Sequence, residues 1–335
     1  MPASGSPEDA YPGVREQLLC GGPVVVTGAA GFIGSHLVQA LARWKVPFLG
    51  IDRRWGDGAD TAQAPPWGAG GDLATVDLEP LLRGAGVVFH LAARPGVRPS
   101  WDAFPDYLRD NVLVTQRLLE TCVRLGVPRV VMASSSSVYG DGDGTPMDEE
   151  RTPCPASPYA VTKLAAERLG MAYARRAGGA LRVVALRYFT VYGPRQRPDM
   201  LIARALRSAR EGELLRVHGD GSARRDFTFV GDVVGATLSA AARSVPSGTY
   251  NVGTGRNTSI NELLALVADV TGRFPRVEYA HPYPGDATVT LADPARTADV
   301  LGCRPATVLY DGLVAQERFL TARGAWPAAS SRQAG

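Results

Sequence analysis

The sequence predicts a doubly wound α/β fold, a parallel sheet flanked by helices, with a smaller C-terminal α/β lobe. Three observations carry that prediction. Short, continuous apolar runs such as Pro23-Val-Val-Val-Thr27 have the character of strands buried on both faces. They alternate with helix-length stretches, the β-α-β pattern of a parallel sheet. A glycine-rich turn, Gly28-Ala-Ala-Gly31-Phe-Ile-Gly34, joins the first strand to the first helix, where folds of this class hold phosphates on backbone N–H groups.

Composition sets the outer limits. The 335 residues suffice for one large α/β domain with an elaborated second lobe. An apolar share of 45% is normal for a packed core. A net charge of +3 gives no argument for nucleic acid or a membrane surface. The four cysteines are scattered without metal-ligand or disulfide-scaffold spacing, so reduced thiols in a cytoplasmic protein and no metal site are expected. No apolar run approaches the roughly 20 residues of a membrane span. Residues 1–20 lack the basic and apolar regions of a signal peptide and are expected as a loose extension, with 324–335 as a similar tail. Between them, 21–190 are expected to bind a dinucleotide, joined by a strand near 249–253. Residues 191–248 and 254–323 are expected to form the substrate lobe.

Taken in order, the first strand leads through the glycine turn into a helix over 35–44. A second strand, Phe48-Leu-Gly-Ile51, ends at Asp52. That acid follows Gly34 at close to the spacing of about 20 residues at which a carboxylate takes the ribose hydroxyls of a dinucleotide. A free acid favours a 2′-hydroxyl over a 2′-phosphate, so NAD is expected; the adjacent Arg53 and Arg54 keep NADP as second choice. Residues 53–71, polar and rich in Gly and Pro, are expected as a long irregular loop, 75–79 as a short helix and 87–91 as a strand. His90 is expected as a satisfied core residue, while Ala92 and Ala93 leave room for a flat ring against the backbone. The loop 94–100 runs into a long helix over 104–125. Asn111 within it has two readings, a solvent-facing polar residue or a pocket residue.

A strand at 129–133 ends in Ser134-Ser-Ser-Ser137-Val-Tyr139-Gly140. Four hydroxyls then stand at the carboxyl edge of the sheet, where open α/β sheets bind ligands. Another strand, 180–186, precedes a stiff cationic loop at 187–200. A helix at 201–210, a strand at 214–217 and an extended basic segment at 224–230 follow. Asp232 is expected to cap a helix through 242, and a strand at 249–252 to rejoin the sheet. Ser259 caps a helix to 271, and helical stretches at 294–301 and 309–320 close the chain. Arg195, Arg197, Arg224 and Arg225 suit a phosphate or carboxylate ligand.

The chemical centre is 157–163. Ser157 suits an N-cap, Pro158 the first helical position, and Gly178-Gly179 the stop. Tyr159 and Lys163, four apart, share one helix face. An ammonium favours phenolate over phenol, so Lys163 is expected to lower Tyr159 from its ordinary value of about 10. A tyrosine so tuned can act as general base towards a substrate hydroxyl.

With Thr27-Gly-Ala-Ala-Gly-Phe-Ile-Gly34, His90-Leu-Ala-Ala93, Ser134-Ser-Ser-Ser-Val-Tyr-Gly140, Tyr159-X-X-X-Lys163, Arg187-Tyr-Phe-X-Val-Tyr-Gly-Pro194, Arg225-Asp-Phe-Thr228 and Asn251-Val-Gly253 in this order, the chain resembles the extended short-chain dehydrogenase/reductase family. Within that family it is similar to the NAD-dependent nucleotide-sugar epimerases and dehydratases, over roughly 24–320. The resemblance implies a Rossmann fold. It makes Tyr159 the base, Lys163 the residue that orients the nicotinamide ribose, and Ser135, with Ser136 beside it, the partner of the reacting hydroxyl. It adds Phe32 and Ile33 to the cofactor turn, puts Asp72 and Leu73 at the adenine, and lines the cofactor with Leu91, Ala92, Ala93, Asn111, Tyr188 and Phe189. Arg225 would grip the diphosphate and Asp286 the nucleotide ribose. A homodimer through a four-helix bundle is implied by the same likeness.

Departures from the family pattern narrow the chemistry. Sugar 4,6-dehydratases carry Thr-Asp-Glu where this chain has Ser135-Ser136-Ser137, and those acids expel the C6 hydroxyl. The run 189–200 is more similar to the branch that includes UDP-glucuronate 4-epimerases. There Thr190 and Arg197 would address the C6 carboxylate, with Arg98 a further pocket candidate. Tyr283 stands where relatives often have a phosphate-binding Arg. The expected function is an NAD-dependent nucleotide-sugar 4-epimerase. A dehydratase or decarboxylase, a 4-ketoreductase, and a non-catalytic NAD-binding regulator are the alternatives.

Overall fold

The computed structural model describes residues 13–55, 65–242, 244–283 and 285–322. From the N-terminal side come α1 (Val14–Cys20), β1 (Val24–Thr27), α2 (Phe32–Arg43), β2 (Phe48–Asp52), β3 (Gly68–Gly70), α3 (Leu78–Leu82) and β4 (Val87–His90). A long helical rod follows: α4 (Phe104–Tyr107), a π-helical segment (Leu108–Leu113) and α5 (Val114–Leu125). Then come β5 (Arg129–Ser135), α6 (Pro158–Arg176) and β6 (Arg182–Tyr188).

The central sheet has seven strands. With β11 (Gly248–Val252) at one edge, its order is β11-β6-β5-β4-β1-β2-β3, and every pairing is parallel. From β1 the chain winds to β2 and β3 on one side and to β4 onward on the other. The crevice at this reversal opens beyond the carboxyl ends of β1 and β4, where ligands bind in open α/β sheets.

Alternation along each strand builds two cores. Val24 and Val26 join Leu37, Val38 and Leu41 of α2 on one face, while Val25 joins Leu78, Leu118 and Leu119 on the other. Phe89 against Val88, and Val131 against Val130, split the same way. Each leucine so buried stabilises the fold by about 1.5–3 kcal/mol. A separate core, with Ile202, Leu206, Leu215, Val217, Leu263, Leu264 and Leu313, belongs to the C-terminal lobe. That lobe contains β7 (Thr190–Tyr192), α7 (Leu201–Glu211), β8 (Leu215–His218), β9 (Arg224–Arg225), β10 (Phe227–Phe229), α8 (Val230–Ser239), β12 (Thr258–Ser259), α9 (Ile260–Thr271), β13 (Val277–Ala280), α10 (Ala295–Leu301) and α11 (Leu309–Ala322). Among its described residues the strands pair in twos: β10 with β7, β12 with β9 and β13 with β8. Helix α8 packs back on the main sheet, with Val233 and Ala236 in the same core as α2.

Several expectations are corrected. The extension expected over 1–20 is helical from Val14, and Val14 and Leu18 pack into the core beside Trp44; residues 1–12 and 323–335 lie outside the described residues. The expected loop 53–71 holds a sheet strand, β3, paired with β2 from Gly50 to Asp52. A Gly-Ala-Gly strand carries no side-chain signal; the packed Trp55 and Trp67 rings, 5.6 Å apart, cover it instead. Residues 56–64 of that loop are outside the described residues. Asp232 does not cap α8. It sits in the first turn and accepts hydrogen bonds from Ala306 N, Thr307 N and Thr307 Oγ1 at 2.9–3.1 Å, tethering a distant loop. Among the described residues, no helix is long and apolar enough to cross a membrane.

Candidate active site

A cavity of about 770 Å³ follows the carboxyl edge of the sheet and extends under the C-terminal lobe. Its first wall is the glycine turn. A Cβ on Gly34 would lie 2.1 Å from the Gly28 carbonyl oxygen, and one on Gly28 2.7 Å from Ala92 N. Only glycine lets α2 meet β1 this closely. Gly31 gives α2 no side-chain cap, so its first turn (Phe32, Ile33, Gly34) meets the cavity with backbone donors and the positive end of its dipole. Asp52, nearly buried at the end of β2, accepts from Ala30 N at 2.9 Å and Arg54 N at 3.0 Å. Asp72 and Leu73 stand on the same wall. These groups fit a dinucleotide: donors for a pyrophosphate, a carboxylate for a ribose, and Leu91, Ala92 and Ala93 as a flat surface.

The chemical centre lies beyond the β5 end. Ser157 caps α6, its Oγ accepting from Ala160 N at 3.2 Å, with Pro158 at the first helical position. That fixes Tyr159 and Lys163 one turn apart, both on the cavity wall. Ser135 Oγ accepts from Ser137 Oγ at 2.8 Å and from Ser137 N at 3.2 Å. Its own proton is therefore available for an acceptor in the cavity. Burial pushes the Tyr159 phenol above its ordinary value, opposed by the Ser135 hydroxyl and then by the Arg197 charge. The expected lowering by Lys163 is not what the geometry gives: burial depresses the Lys163 ammonium itself to about 8, with Glu167 holding it up against that pull. His90 is buried and bonded to Thr27 Oγ1 at 2.9 Å and Thr115 Oγ1 at 3.0 Å, as a core residue.

The far end is cationic. Arg197 holds Asp199 through Nε at 3.0 Å and Nη2 at 2.9 Å. Burial disfavours its charge, but the Asp199 pairing outweighs that and carries its pKa above the ordinary range. Arg225 donates to the carbonyls of Arg224 and Thr288 at 2.9 and 3.3 Å. Asp286 accepts from Arg98 Nη2 at 2.7 Å, and the Arg98 guanidinium lies 5.0 Å over the Tyr283 ring.

The cavity thus brings together the expected site residues except Asn111, Arg98, Arg195 and Arg224. Ser136, Tyr188, Phe189, Thr190, Arg197, Arg225 and Asp286 line it, whereas Arg195 donates to Ser35 O at 3.2 Å and Arg224 is held by Asn257 and Glu262. Asn111 is buried one layer behind. Its Oδ1 accepts from Arg94 N at 2.7 Å, and its Nδ2 donates to Arg94 O at 3.1 Å and Thr162 Oγ1 at 3.0 Å. It ties the loop after β4 to α6 and so resolves neither as solvent-facing nor as lining. Arg98 is turned towards Asp286. Asp110, Met200 and Asp141 are among the cavity residues not singled out from sequence. Asp141 anchors the strap 285–290, accepting from Thr288 N at 2.6 Å and Thr288 Oγ1 at 2.8 Å. An acid directly after Val-Tyr-Gly was its only available signal.

Residues 24–253 match the NAD dependent epimerase/dehydratase family. The chain is 38% identical over 318 residues to the uncharacterized UDP-glucose epimerase YtcB of Bacillus subtilis (strain 168), covering 89% of this chain and 98% of that protein. It is similar to the structure of MoeE5 in complex with UDP-glucose and NAD, with a TM-score of 0.85 and 48% identity over 90% of this chain and 99% of that one. UDP-glucuronic acid 4-epimerase from Bacillus cereus, in complex with UDP-glucuronic acid and NAD, gives a TM-score of 0.83 and 36% identity, again over 90% and 99%. On this match and this identity, the chain belongs to the NAD-dependent epimerase/dehydratase family.

Proposed function

We propose that the protein is an NAD-dependent 4-epimerase of a UDP-sugar: UDP-glucuronate, UDP-glucose or UDP-N-acetylglucosamine. The observation that carries the reading is the convergence of Tyr159, Ser135 and Lys163 beside a dinucleotide cradle in one cavity. NAD, when bound, takes hydride from C4 of the sugar and returns it to the opposite face. Tyr159 removes the proton of the C4 hydroxyl, and the 4-keto sugar turns in the cavity before Tyr159 gives the proton back. Ser135, already accepting two hydrogen bonds from Ser137, directs its proton to the reacting oxygen or to Tyr159, with Ser136 beside it. Because burial favours the neutral phenol, Ser135 and Arg197 are the groups that support the phenolate as it forms. Lys163 holds the nicotinamide ribose. Tyr188 and Phe189 close the wall around the ring.

In the same reading Arg225 takes the diphosphate and Asp286 the nucleotide ribose, with Arg98 acting through Asp286. Thr190 and the Nη1 edge of Arg197 address the substituent at C6. Elimination would need a carboxyl pair where Ser135, Ser136 and Ser137 stand. We assign 21–190 and β11 to the cofactor unit and 191–248 with 254–323 to the substrate lobe. Exposed Trp101, Phe104, Leu113 and Val161 on and near the helical rod and α6 support a homodimer through these helices. The four unpaired cysteines support a cytoplasmic location.

Tyr159→Phe tests the catalytic assignment. Turnover of the sugar should fall by about 10²–10⁴-fold, while NAD released on denaturation stays equal to wild type. Unchanged turnover would remove Tyr159 from the role of base.

A further inference from the structure

We propose that Asp110 is a positioning residue for coenzyme choice: it holds Arg53 away from the adenosine ribose, so that Arg53 is not free to partner a 2′-phosphate. The proposal rests on the reading of the cavity as an NAD site. Two arginines directly after the ribose acid are the residue type that accommodates a 2′-phosphate, and both Arg53 and Arg54 line the cavity. Each is claimed by a carboxylate. Arg54 Nε lies 3.8 Å from Asp52 Oδ1, and Arg53 Nη1 lies 3.2 Å from Asp110 Oδ2.

The two pairings are not equivalent. Asp52 belongs to the ribose site itself, whereas Asp110 comes from a different element, the π-helical segment between α4 and α5. An extra residue per turn displaces side chains relative to a regular helix, and Asp110 is only 8% exposed yet on the cavity wall. It is held there by two further guanidiniums, Arg94 Nε at 3.1 Å and Arg109 Nε at 3.0 Å. Arg109 also pairs with Asp72, another residue of the adenosine end. A carboxylate fixed from three sides is a preorganised acceptor. The Arg53 side chain, by contrast, is 52% exposed and has no comparable hold. An ion pair with one exposed partner is weak, about 0–1 kcal/mol as a stability term. A dianionic phosphate could therefore take Arg53 if Asp110 did not supply the competing acceptor.

The full-length chain is equilibrated with NAD+ and NADP+ together in equal excess. The dinucleotides released on denaturation are then quantified for wild type, Asp110→Asn, Arg53→Ala and the double variant. Wild type and Arg53→Ala should release almost only NAD. Asp110→Asn should raise the NADP-to-NAD ratio by at least about 10-fold, and the double variant should return it to near the wild-type ratio. Asp110→Ser, a second removal, must move the ratio in the same direction and stands in if the Asn variant does not fold. An unchanged ratio in both removals, a rise that survives loss of Arg53, or a wild type that takes both dinucleotides equally would overturn the proposal. A wild type that binds neither dinucleotide would instead overturn the NAD reading on which it rests.

Discussion

Arg197 sits at the junction of two tasks. Its charge is one of the influences that oppose burial at Tyr159, and its fork is shared with Asp199. Hydrogen bonds to charged groups contribute about 1.5–3 kcal/mol, so Arg197→Met should cost roughly 10–150-fold in kcat/KM for UDP-glucuronate if the guanidinium meets a C6 carboxylate. UDP-glucose should then lose less than about a third of that factor. Equal losses for the two substrates, measured side by side, would place Arg197 with Tyr159 and not with C6. His90 gives a second residue-scale prediction. Burial, and after it the Lys163 charge, pushes its imidazole down to about 3 from 6.5. Between those two values the unfolded chain binds a proton that the folded chain refuses. Stability is therefore full above about pH 6.5 and is lost as the pH falls towards 3. Urea unfolding between pH 6 and pH 5 should show a loss steeper in wild type than in His90→Gln by up to about 1.4 kcal/mol per pH unit. Parallel slopes would mean that His90 does not carry the effect.

The element that organises the site is α6, which places Tyr159, Lys163 and Glu167 at successive turns of one stripe. Glu167 is fully buried and accepts from Arg187 Nη2 at 2.7 Å, Arg187 Nε at 3.0 Å and Ser134 Oγ at 2.9 Å. The pair pins α6 to β6 and to the end of β5, next to Ser135. Removing one partner leaves a buried charge alone, so Glu167→Ala should lower the unfolding free energy by about 3–5 kcal/mol. A change below about 1 kcal/mol would show that Arg187 finds another partner or leaves the core. Local signals in this part of the chain were legible. Ser157 caps α6 and Ser259 forms a capping box with Glu262, because caps act within one turn. The π-helical segment was not legible, since no residue in Leu108–Leu113 breaks the helical pattern. The same holds for Asn111, whose partners Arg94 and Thr162 come from two other elements.

At the scale of the molecule, the sheet, apart from β3, and its cofactor wall were readable because the other strands are short runs with a largely apolar centre, and β11 rejoins β6 as expected. What joins the two lobes was not. Asp141 and Arg98 reach from the sheet side to Thr288 and Asp286, and Gln316 of α11 accepts from Gly193 N at 3.0 Å. These contacts span more than 120 residues and depend on tertiary geometry that periodicity cannot encode. The lowering of Tyr159 by Lys163 failed for a related reason. Spacing along a helix gives proximity, but burial, which dominates both groups here, belongs to the whole fold.

The central claim is oxidation and reduction of one sugar at C4 within a closed cofactor cycle. It is tested most directly by incubating the purified protein, without added cofactor, with UDP-glucuronate, UDP-glucose and UDP-N-acetylglucosamine each carrying deuterium at C4. Products are then read by mass and by NMR. The account predicts a C4 epimer of unchanged mass that keeps its deuterium, from at least one of the three. A product lighter by water or carbon dioxide, or an epimer that appears only when NAD(P)H is supplied stoichiometrically, would contradict it.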